Sequence, residues 1–142
     1  MSQQNVERLR TWDEERSADL NAWISAVETG EADLSIYDAE MTYQDDSLPD
    51  HAGETYHGVE GLVRASRQMA DPFSQVLIET ERILGSGDRV VSVVRIRATS
   101  SFTGIEFDIP YAYLYTFRNG KIIHGQGFSS VTKALDAAGL KE

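Results

Sequence analysis

An α+β fold, with helices gathered against a curved antiparallel sheet, follows from three features of the sequence. Apolar residues recur at helical spacing in the first thirty residues and again near residue 60. From Gln75 onward the period changes to two, and Asn119-Gly120 marks a tight hairpin between two strand-like runs. Helices collected ahead of an antiparallel meander, rather than alternating with its strands, give a segregated α+β architecture.

Leu20, Trp23, Ile24 and Val27 fall at the i, i+3, i+4, i+7 spacing of one buried helical face. Val6, Leu9 and Trp12 fit a less regular turn or two upstream. Gly30 stands where a left-handed residue ends a helix, and a short second helix fits 31–37, with Leu34 and Tyr37 inward. A strand opens at Met41, and Tyr43 and Asp45 share one of its faces. Val59, Leu62, Val63 and Met69 give another amphipathic helix, which Asp71-Pro72 ends because the residue before proline is pushed out of helical geometry.

Segments 75–84, 89–99, 105–117 and 121–129 read as strands, joined by turns at 85–88, 100–104 and Asn119-Gly120, the last of type I′. A short helix at 132–138 closes the chain. Strands of ten or more residues exceed the common length, so the sheet must curl. Curling around the helix that carries Trp23 leaves a conical cavity.

The 142 residues read as one domain, 1–142, with 41% hydrophobic and 25% charged residues. Thirteen basic against 23 acidic residues give a net charge of −10. That excludes a basic stripe for nucleic acid and disfavours anionic membranes. Without cysteine there is no disulfide, thiolate catalysis or iron–sulfur cluster. A strongly charged N-terminus and the lack of a long apolar run make the cytoplasm the expected location. His51, His57 and His124 stand at no metal-ligand spacing, so neither metal nor cofactor is expected.

The helix ending GEAD, the segment YDAEMTYQD, the helix entry YHGVEGL, the RNGKI hairpin and the terminal KALDAAGL occur in an order and spacing that resemble the SnoaL-like branch of the nuclear-transport-factor-2-like (NTF2-like) superfamily. The resemblance covers nearly the whole chain. It implies a cone-shaped sheet around a deep apolar pocket, and a homodimer formed through the outer sheet face. It implies no single activity, since the superfamily holds isomerases, polyketide cyclases, epoxide hydrolases, dehydratases and plain binding proteins.

Asp45 falls where the ketosteroid isomerases carry their proton-shuttling aspartate. The positions of the isomerase oxyanion hole match Trp23 and Tyr113, which differ from it but can both donate a hydrogen bond. The other reading makes Trp23 core and Asp45 the cap of the following loop. The TYQDDSLP segment is also similar to limonene epoxide hydrolases, with Tyr43 on their tyrosine and Arg95 on their arginine. Asp45, however, replaces their asparagine, and their two catalytic carboxylates fall on Arg97 and Gly127, which rejects that activity.

Arg95 and Arg97 share a strand face. Either they line the cavity, where Arg95 would bind substrate, or they meet Glu79 or Glu81 in solvent. Tyr111, Tyr115 and Phe117 join Trp23 and Tyr113 in setting the pocket size. Gly125 and Gly127 either enlarge the pocket or let the sheet bend. His57 caps the helix it precedes, His124 falls on the outer face, and Asp46, Asp50 and Glu54 belong to a solvated loop. Two functions follow: proton transfer on a small apolar carbonyl compound with Asp45 as general base, or binding of such a ligand without catalysis.

Overall fold

The structure is a computed structural model that describes residues 2–46 and 54–140; Asp50 and His51 lie outside the described residues. Its elements are α1 (Ser2–Glu15), α2 (Leu20–Thr29), β1 (Tyr37–Asp45), β2 (Tyr56–His57), α3 (Gly58–Ala70), β3 (Phe73–Ser86), β4 (Arg89–Ser100), β5 (Glu106–Arg118), β6 (Lys121–Phe128) and α4 (Val131–Ala137). The six strands form one sheet in the order β2-β1-β6-β5-β4-β3. β1 runs parallel to β6 and every other pair is antiparallel.

α1 is a regular helix, not the loose turn expected, and it is separate from α2. Asp19 starts α2 by accepting a bond from the Ala22 amide at 3.2 Å, and its own extended backbone breaks the helical run. Gly30 ends α2 with φ near 80° and its N–H on the Ala26 and Val27 carbonyls.

The expected helix over 31–37 does not form. The Glu31 and Ala32 amides are spent on the Ala26 carbonyl, and Asp33 accepts from the Ser35 amide at 2.9 Å in an Asx turn. Tyr37 therefore opens β1 four residues earlier than the sequence pattern indicates. His57 is a second correction. It precedes α3 with extended backbone, but its side chain makes no capping bond because its main chain pairs with Thr42 as part of β2.

β3, β4 and β5 are long, as expected, and register shifts at Thr80/Arg82 and Thr116/Phe117 add bends to the sheet. The type I′ expectation holds at the β5–β6 hairpin, where Asn119 and Gly120 have φ of 54° and 76°. The concave face packs on α1, α2 and α3 in a core that includes Leu9, Trp23, Ile24, Met41, Val90 and Val94. On the convex face α4 covers Val91, Val93, Ala112, Leu114 and Phe128 through Ala134, Leu135 and Ala138. Among the described residues no helix is long and apolar enough to cross a membrane.

Candidate functional site

Strand parity builds the site. On β1, Tyr43 and Asp45 turn to the concave face; on β6 their register partners are Gly125 and Gly127. On β5, Tyr113 and Tyr115 pair with the same two glycines from the other side. Missing side chains on the middle strand thus leave room between two polar, aromatic strands.

Asp45 is 2% exposed. The Tyr43 hydroxyl donates to its Oδ2 at 2.7 Å, and the Tyr111 hydroxyl donates to its Oδ1. A carboxylate is costly to bury without partners, and two phenol donors offset that cost with charge-assisted bonds. The loop after Asp45 lies outside the described residues, and among those residues its partners include the two phenols. Its neighbour Asp46 ties the end of β1 to the turn after β6, accepting from the Ser129 amide at 3.0 Å.

Around Asp45 lies a cavity of about 80 Å³, bounded by α1, α2, β1, α3 and the concave sheet face. Trp23, Tyr43, Asp45 and Tyr113 all line it, together with Tyr115 and Ser92. Such a space takes a few waters or one compact ligand. Burial pushes the Tyr43, Tyr113 and Tyr115 phenols above their usual ionisation range, and Asp45 adds to this at Tyr43 and Tyr113. At neutral pH these rings present O–H donors. A second hollow of about 330 Å³ includes Phe73, Ile96, Phe107, Ile109 and Tyr111 in its wall. Tyr111 thus lines one hollow while its hydroxyl bonds the acid of the other.

Of the residues picked out in the sequence, Asp45, Tyr43, Trp23 and Tyr113 come together and Arg95 does not. Val94 and Ile96 take the concave face, so parity turns Arg95 and Arg97 outward. Arg95 pairs with Asp108 at 2.9 Å, and Arg97 with Glu79 at 3.3 Å across the β3–β4 hairpin. His124 also faces away from the glycines, and its Nδ1 lies 2.7 Å from the Thr42 hydroxyl. Tyr111 as a partner of Asp45 was missed. Its place two residues before Tyr113 puts it on the same face, which was the available signal. Also missed were Asp13 and Arg16, which line the cavity from α1 and the turn after it. Among the described residues no three His, Asp or Glu side chains gather as metal ligands.

The SnoaL-like domain matches residues 20–125. The chain belongs to the SnoaL-like family. No curated protein matches this SnoaL-like chain. Among solved structures, it is similar to a candidate SnoaL-like polyketide cyclase of Jannaschia sp. CCS1, with 21% identity over 96% of this chain and 92% of that one, and a TM-score of 0.67. TerC, co-crystallised with polyporic acid, shares 16% identity over 95% of this chain and 97% of its own, with a TM-score of 0.65. An NTF2-like protein of Burkholderia pseudomallei K96243 shares 15% over 97% and 98%, with a TM-score of 0.64. At these identities the likeness shows the fold, which is NTF2-like.

Proposed function

We propose that this SnoaL-like chain binds a small, largely apolar carbonyl compound in the cone and moves a proton on it, as isomerases and cyclases do. The observation that carries this reading is Asp45: a carboxylate 2% exposed, held by two phenols, at the wall of an aromatic cavity. Asp45 would take a proton from the carbon beside the carbonyl. The electron pair of that C–H bond becomes a C=C bond as the carbonyl π pair moves onto oxygen, and Tyr113, with the Trp23 indole N–H, stabilises the enolate. Where the substrate carries a β,γ double bond, return of the proton from Asp45 to the γ-carbon of the dienolate completes an isomerisation. Each carboxylate oxygen can accept more than one hydrogen bond, so the phenols do not preclude the step. TerC's polyporic acid, a ligand bound by a protein of this fold, is consistent with a cyclic oxygenated substrate.

One observation favours the second reading, binding without turnover. Both Asp45 oxygens are already engaged by Tyr43 and Tyr111, as suits a carboxylate that only orients a ligand. Hydrogen–deuterium exchange at the α-carbon of cyclohexanone and α-tetralone, followed by NMR, separates the two. Proton transfer requires that the wild type accelerate exchange and that Asp45→Asn abolish it with ligand affinity preserved. Equal exchange in both proteins would sink the general base. The same proposal takes the chain as a cytoplasmic, single-domain homodimer that meets its partner on convex sheet surface outside the α4 contact. Sedimentation showing monomers at micromolar concentration would overturn the dimer.

A further inference from the structure

Arg16 follows α1, and its side chain joins the cavity wall with 15% of its surface exposed. The turn that carries it is pinned to β3: the Ile78 amide donates to the Ala18 carbonyl at 2.8 Å, and Asp19 bridges to Leu77. The guanidinium lies over the Trp12 ring, 5.3 Å from its centroid. Its Nη1 donates to the Ser17 carbonyl at 3.0 Å, and its Nη2 pairs with Asp13 Oδ1 at 2.8 Å. Asp13 Oδ1 also accepts from the Thr80 hydroxyl at 2.9 Å. A guanidinium carries five N–H donors, so a ring, a carbonyl and a carboxylate orient this one without exhausting it.

We infer that Arg16 recognises an oxyanion on the ligand, and that the ligand is a small cyclic acid whose ring fills the aromatic middle of the cavity. The shared chemistry is a carboxylate or an acidic enol, either of which a fixed guanidinium can meet with two parallel hydrogen bonds. The tyrosines show how the two charges are distributed. Asp45 acts on Tyr43 and Tyr113, whereas Arg16 draws down Tyr113 and Tyr115 against the effect of burial. Tyr113 thus stands under the influence of both, and on the Tyr115 side the guanidinium acts together with its partner Asp13, which opposes it there. The overall charge of −10 repels anions at long range, but inside a half-enclosed wall the nearby cation is screened far less than surface charges are. Asp13 sets the strength of the site, since it competes with any ligand for Nη2.

The inference rests on the cavity being the ligand site, and it does not depend on whether Asp45 acts as a base. Isothermal titration of the wild type, Arg16→Met, Arg16→Lys and Asp13→Asn with sodium benzoate, cyclohexane-1,3-dione and neutral benzamide tests it. The wild type should bind benzoate, the dione or both more tightly than benzamide, and the arm that binds tells carboxylate from enol. Arg16→Met should weaken anion binding about tenfold or more while benzamide changes little. Arg16→Lys should fall between, and Asp13→Asn should tighten anion binding; these two decide the matter if the methionine variant does not fold. Benzamide bound as well as benzoate and the dione, or anion binding unmoved by the Arg16 substitutions, would overturn the inference while leaving the proton-transfer reading intact. Failure of every probe to bind would overturn both.

Discussion

Gly127 and Asp45 sit opposite each other across β6 and β1, and the carboxylate occupies the space a side chain at 127 would need. A Cβ there would lie 2.6 Å from Asp45 Oδ2 and 2.8 Å from the Tyr43 hydroxyl. At Gly125 the nearest atom is Tyr43 Cδ1, at 3.1 Å. Gly127→Ala is therefore expected to displace the acid and its phenol together and to destabilise the fold by about 1–3 kcal/mol. Gly125→Ala, meeting only the ring edges of Tyr43 and Tyr115, should cost less. Urea denaturation of the two variants checks the order, and a reversed order would show that the acid has other room.

Tyr43→Phe and Tyr111→Phe each remove one donor from Asp45 and leave the ring in place. Each should cost about 1–3 kcal/mol, because a buried carboxylate oxygen loses a partner. The two phenols serve one group, so the double variant should depart from the sum of the singles. Strict additivity in a double-mutant cycle would mean that the two hydroxyls act on the acid independently of each other.

Alkaline pH tests the buried phenols together. Burial raises the ionisation of Tyr37, Tyr43, Tyr113 and Tyr115 above the ordinary value of 10.0. Their contribution to stability is fully present below that unfolded value and is lost as pH rises through the folded ones, because above pH 10 the unfolded chain gives up protons that the folded chain keeps. The expected outcome is a unfolding free energy that drops above about pH 10, with the phenolate absorbance of these rings appearing at unfolding. A smooth phenolate titration of all six tyrosines in folded protein would contradict it.

The outline of the fold was legible because its signals are local. Gly30, Asp71-Pro72 and Asn119-Gly120 each stop or turn the chain through their own backbone restrictions. The helix expected over 31–37 failed because the bonds of Asp33 and of the 31–32 amides outweighed a short apolar spacing. Asp45, Tyr43, Trp23 and Tyr113 could be read from strand parity and family position, which decide the side of a sheet but not the partner. That Tyr111 bonds Asp45 depends on the register of β5 on β6 and on the curl that closes the cone. Arg95 misled for a related reason. Its face was ambiguous until the pairing of β4 fixed Val94 and Ile96 inward. Arg16 and Asp13 carried no signal, since a charged helix end is ordinarily solvated and only the docking of the following turn on β3 brings them to the cavity.

His124 provides the last test, on the acid side. It is half-buried beside Thr42, and burial pushes its imidazolium form below the ordinary value of 6.5, the Thr42 contact opposing this more weakly. A base whose folded value is depressed contributes stability that is present above its unfolded value and lost as pH falls. The unfolded chain takes up the proton first, so unfolding free energy decreases from about pH 6.5 downward, before most carboxylates titrate. His124→Gln keeps a hydrogen-bonding group near Thr42 but removes the titration. Urea midpoints measured between pH 7.5 and pH 5 should therefore fall less in the variant than in the wild type. Parallel declines would mean that His124 accepts its proton in the folded sheet as readily as in the unfolded chain, and that the convex face at β6 is wetter than its contacts imply.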